Sequence, residues 1–144
     1  MKSIIVLLFL IGIVVSGCIE NPLKQVPVVK VNLTLVEENG LVVAENSTFS
    51  QGTVDFAGRP RNPISTFPVI AGRTLVTRNN SNASTLSTGE WESIPYRGNG
   101  TYAFNIGFNE NYYPDPGDIV HVSILVADIN GSRIGYTISN MVWK

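Results

Sequence analysis

Two residues with the most reactive side chains occur once each, His121 and Cys18, so no Ser-His-Asp relay, Cys-His pair or zinc ligand set can be assembled with more than one of either. His121 stands between Val120 and Val122 and shares an alternation with Ile119, Ser123 and Leu125, the setting of a core or interface histidine rather than a catalytic one. Asp115, Asp118, Asp128 and Asn130 fall near turns, where calcium finds oxygen ligands. They match no recognised calcium loop, and Asp and Asn cap turns for backbone reasons alone. No catalytic group, cofactor or metal site is therefore expected. Trp91, Tyr96, Tyr112 and Tyr113 could form a platform on which a sugar ring stacks, or they could plug the end of a sandwich. Arg59 and Arg61 make a small basic loop, either a solvated tip or an anion contact.

Cys18 carries the clearest chemistry. Lys2 precedes an apolar run of 12 residues, Ile4 to Val15, and Ser16-Gly17-Cys18 follow. The run is shorter than the roughly 20 residues of a spanning helix and suits the h-region of an export signal. Val15-Ser16-Gly17-Cys18 resembles the lipobox of prokaryotic lipoprotein signal peptides. The resemblance implies that the Cys18 thiol takes up a diacylglyceryl group, with palmitate-type acyl chains, and becomes the new N-terminus after cleavage. The expected organisation is a signal peptide over 1–17, a lipidated tether over 18–27 with two prolines, and one domain over 28–144. With a lone cysteine, no internal disulfide can stabilise that domain. Archaeal pilins also place an apolar segment ahead of a β-rich domain, which leaves a pilin-like assembly subunit as an alternative, although Lys2-Ser3 matches their cleavage site poorly.

Six of the 14 asparagines lie in Asn-x-Ser/Thr sequons: Asn32, Asn46, Asn79, Asn82, Asn99 and Asn130. With 22 Ser and Thr, chance alone gives about 2. The excess points to N-glycosylation on an exported surface, against the ordinary use of Asn in turns.

The elements that position these residues read as strands. Removing the first 17 of 144 residues leaves 127, the size of one domain with a real core. Nine basic against eleven acidic residues then give a charge of −2, with no electrostatic case for nucleic acid. Val28 to Glu37 alternates, with Val29, Val31, Leu33 and Leu35 on one face, and Asn39-Gly40 predicts a tight hairpin into Leu41 to Ala44. Further strands are expected at Thr53 to Ala57, Val69 to Thr77, Glu92 to Tyr96 and Thr101 to Phe108. Residues 58–63 should form an exposed loop, and 79–88, polar and low in apolar content, a long loop or a mobile edge. Asp118 to Asp128, apolar on both alternations, predicts a central strand covered on both faces, and Asn130-Gly131 turns it into a last strand from Arg133 to Trp143. Tyr102, Phe104, Ile106, Val120, Val122, Ile124 and Val126 are the expected core.

The stretch Gly100 to Ile106, then Pro116 to Val120, Val126 to Gly131 and Ile134-Gly135, resembles the closing strands of immunoglobulin-like modules on prokaryotic cell surfaces, over about residues 98 to 135. There is no cysteine pair, and neither Trp91 nor Trp143 stands mid-strand. The expected fold is an all-β, immunoglobulin-like or related β-sandwich of seven to eight strands. The resemblance, with the leader and sequons, implies a prokaryotic and specifically archaeal surface lipoprotein: a non-catalytic binding or structural module, lipid-anchored at the cell membrane and facing outward, with a surface protein or glycan as partner. A carbohydrate-binding module and a pilin-like subunit are the alternatives.

Overall fold

The computed structural model describes residues 24–78 and 85–144. They form eight strands: β1 Gln25–Glu38, β2 Leu41–Asp55, β3 Val69–Thr77, β4 Thr85–Thr88, β5 Glu92–Pro95, β6 Gly100–Ile106, β7 Ile119–Ala127 and β8 Arg133–Val142. All pairings are antiparallel. A three-stranded sheet has the order β2-β1-β6, and a five-stranded sheet has the order β4-β3-β7-β8 with β5 also paired to β3. The all-β sandwich expected from the alternating pattern is what the chain forms. β3, β7 and β8 keep the order of one immunoglobulin sheet, whereas β1 lies between β2 and β6 instead of following an edge strand, so the topology is that of a related sandwich.

Alternation sets the core. Val29, Val31, Leu33 and Leu35 of β1 face Ile70 and Val76 of β3 and Val120, Val122, Ile124 and Val126 of β7, all buried in one cluster with Ile106. At Gly72 of β3 a side chain would collide with the Cδ1 atoms of Ile106 and Ile124, so a hydrogen there lets the two sheets close. Thr74 is fully buried among these residues and is satisfied by donating from Oγ1 to the Gly107 carbonyl, 2.9 Å away. The turns follow their residues: Asn39 and Gly40 both take positive φ, 54° and 77°, the conformation an Asn-Gly hairpin supplies.

Several expectations are corrected. β1 begins at Gln25, because Gln25 to Pro27 pair with Asp55 to Thr53 and Val26 is buried. Leu41 to Ala44 and Thr53 onward are one strand, β2. Its register shifts opposite Thr34 and Leu35, leaving Glu45 as an extra residue, and this bulge lets Val42, Ala44 and Phe49 share the inner face despite their spacing. Of the two readings of residues 79–88, loop or edge, the described part is an edge: Thr85–Thr88 forms β4, which pairs with β3 at the border of the larger sheet. β7 is central but not covered on both faces: Ile119, His121, Ser123 and Leu125 lie half-buried on the outside of the sheet. Tyr102 and Phe104 pack against the core only in part, because β6 is an edge strand.

The two sides of the sandwich differ. On one, β2 runs beside β8: the Val42 carbonyl oxygen would lie 2.7 Å from a Cβ at Gly135, and the Gln51 amide holds Lys144 by both its N–H and its carbonyl, at 2.9 and 2.7 Å. On the other, between β6 and β5, the sheets are bridged by the segment from the short 3₁₀ turn Phe56–Gly58 to Pro68.

Candidate functional site

A cleft of about 450 Å³ opens at the end of the sandwich where the chain enters β1. Its walls come from Val26 to Val28, the loop 59–63, the approach to β5 at Glu90 to Glu92, and the β6–β7 connection from Gly107 to Tyr113. Loops carry the polar groups while sheets fix their positions. The 59–63 loop is stitched to β5: the Asn62 N–H donates to Glu92 Oε2 at 2.6 Å, and the Ser93 N–H and hydroxyl donate to the Asn62 carbonyl at 2.6 and 3.2 Å. Across the cleft, the Asn111 N–H donates to Asn109 Oδ1 at 3.0 Å, an Asx turn that shapes the connection holding Glu110 and Tyr113.

Charge is arranged unevenly inside. Arg59 Nε and Arg61 Nη2 both donate to Glu110 Oε1, at 2.7 and 3.0 Å, and the Arg59 guanidinium also covers the Phe56 ring at 3.7 Å. Among the described residues neither Glu90 nor Glu92 forms an ion pair. Burial raises the Glu92 carboxyl above its ordinary value, the Asn62 N–H works against that rise, and the neighbouring Glu90 adds to it. Between these two carboxylates stands Trp91, half-buried, with the Arg73 guanidinium 4.8 Å from its ring centroid.

Of the four aromatics read from the sequence as one platform, the fold brings two together. Trp91 and Tyr113 line the cleft. Tyr96 is buried elsewhere, at the end that holds the β1–β2 turn: its hydroxyl donates to Glu37 Oε2 at 3.1 Å and its ring lies 6.1 Å from that of Tyr102. That site pushes the Tyr96 phenol up to about 12, first by desolvation and then through the Glu37 bond. Tyr112 is exposed and points to no wall of the cleft. Sequence reasoning passed over Glu90, Glu92 and Glu110. The only signal for them was the Glu90-Trp91-Glu92 order, a carboxylate on each side of an aromatic.

The remaining candidates have local roles. His121 bonds Thr77 Oγ1 through Nε2 at 3.1 Å and Asn140 Oδ1 through Nδ1 at 2.7 Å, on the outer face of the larger sheet. Asp118 accepts the Asp115 N–H at 2.8 Å, and Asp128 Oδ1 accepts the N–H groups of Asn130 and Ser132, both at 2.9 Å, so these carboxylates cap turns. Among the described residues no three His, Cys, Asp or Glu side chains gather as metal ligands would. Asn32 and Asn46 lie exposed on the outer face of β1 and β2, and Asn99 and Asn130 are exposed in turns. The Asn99 side chain accepts the Glu37 N–H at 2.7 Å. Cys18, Asn79 and Asn82 lie outside the described residues.

No protein-family model, no curated protein and no solved structure matches the chain.

Proposed function

We propose that this protein is a lipid-anchored cell-surface module of prokaryotic, archaeal type that binds its target without transforming it, and that the cleft around Trp91 is where it binds. One observation carries the reading: at the end where the chain enters β1, four separate segments converge on a cleft whose walls mix aromatic rings, prolines, guanidiniums and carboxylates. A cleft of that volume and mixed lining suits a small ligand or a projecting group of a larger one. The leader supplies the anchor. Cys18 precedes Gln25 by seven residues, which span at most about 25 Å when extended, so the anchor keeps the cleft end close to the membrane.

Cys18→Ala tests the anchor. In the native host the variant is expected in the soluble fraction or as an uncleaved precursor. Unchanged membrane partition with normal processing contradicts the reading. Glycosylation of the exposed sequons belongs to the same account, since Asn32, Asn46, Asn99 and Asn130 all leave room for a glycan.

A further inference from the structure

We propose that the cleft takes an uncharged saccharide unit, with a sugar ring laid against Trp91 and its hydroxyls held by Glu90, Glu92 and Arg61; the inference rests on the reading of this cleft as the binding site. Arg73 is not among the residues that line the cleft, although its guanidinium lies on the Trp91 ring. The indole surface that faces the cleft is therefore the part Arg73 leaves free. With Tyr113 and Phe108 it offers aromatic area to the C–H face of a pyranose or furanose.

The polar groups narrow the ligand further. Glu92 gives one oxygen to the Asn62 N–H and keeps the other, and Glu90 has no ion-pair partner among the described residues, so the cleft holds free acceptors. Arg61 spends one Nη2 contact on Glu110 and keeps further N–H groups in a well exposed side chain, so the cleft also holds free donors. An anion would meet Glu90 and Glu92, and a cation would approach Arg59 and Arg61. A hydroxyl both donates and accepts, and a neutral ring bearing several of them satisfies donors and acceptors together. The volume, about 450 Å³, lies within the roughly 300 to 1,000 Å³ of small-ligand clefts.

The test uses the full chain in a detergent without a sugar headgroup, titrated calorimetrically with uncharged gluco-, manno- and galacto-oligosaccharides. The same sugars carried as lipid headgroups in phosphatidylcholine vesicles form a second arm, which separates a wall or capsule polymer from a glycolipid as the source. Saturable binding in either arm is expected, weakened at least about tenfold by Trp91→Ala and several-fold by Glu92→Gln, with each variant still folded by circular dichroism and a cooperative melt. If Trp91→Ala fails to fold, Tyr113→Ala replaces it and should weaken binding likewise. Sugar binding indifferent to both variants overturns the inference. Trp91-dependent binding of tetramethylammonium or a lysine peptide, with no sugar bound, also overturns it and leaves the cleft reading standing. Binding of neither class overturns both. Release of reducing ends from a bound oligosaccharide contradicts the non-catalytic reading while supporting the saccharide.

Discussion

Glu92 joins the folding of the loop to the chemistry of the cleft. Its carboxylate receives the Asn62 N–H, and partial burial raises its pKa above the ordinary carboxyl value. A carboxyl whose folded value is raised binds its proton more tightly in the native state, so its contribution to stability is full below the unfolded value, near 4.5, and is lost as pH climbs through the folded one. Glu92→Gln keeps an oxygen for Asn62 and removes the titration. Urea midpoints followed upward from pH 4 should fall less in the variant than in the wild type, and identical curves would mean that Glu92 is not desolvated. The aromatic residues show what a chain can reveal at this scale. Trp91, Tyr96, Tyr112 and Tyr113 look equivalent as a list of ring-bearing residues in and near loops. Only the fold separates Tyr96, which turns inward to Glu37, from Trp91 and Tyr113, which line one cleft.

β3 and β7 lie where their β-branched and apolar runs put them, and the Asn39-Gly40 and Asn130-Gly131 pairs sit in turns. β2 was legible only in fragments, because a bulge at Glu45 changes which parity faces inward and no residue type announces it. β8 is misleading for a related reason. Its register with β7, shifted between Val126 and Ala127, turns Gly135, Thr137, Ser139 and Met141 inward and leaves Tyr136, Ile138 and Val142 exposed. The small inward residues let β2 come alongside, with the Val42 carbonyl pressed toward Gly135. Gly135→Ala should therefore cost about 1 to 3 kcal/mol by forcing that backbone apart. Ile138→Thr, on the exposed face at 57 %, should change stability by less than about 0.5 kcal/mol. Denaturant unfolding of the two variants decides between this register and the alternative that points Ile138 inward, for which the order of the two effects would reverse.

The whole molecule has two chemically distinct ends and two distinct outer faces. Val26 to Val28 put the cleft at the end nearest Cys18 in the chain. The turns that carry Asn99 and Asn130 lie at the other end, with the β1–β2 hairpin. Lys30, Asn32, Thr34, Asn46, Thr48 and Ser50 pair across the outer face of the smaller sheet, a polar surface with two of the six sequons. Ile138, Val142 and Tyr136 give the larger sheet a more apolar exterior. In the proposed account, glycans cover the outward end and the polar face, and the cleft works close to the membrane. Of this arrangement the sequence shows the sequons and the segment proposed as a leader, but not the opposition of the sequons to the cleft, which depends on strand direction. The proposed lipid on Cys18 is decided by intact-mass spectrometry of the protein purified from its own membranes. The predicted mass is that of residues 18–144 plus a diacylglyceryl group, extended by hexose-containing increments from the sequons. A chain that retains Met1 to Gly17, or one cleaved with Cys18 left unmodified, would contradict it.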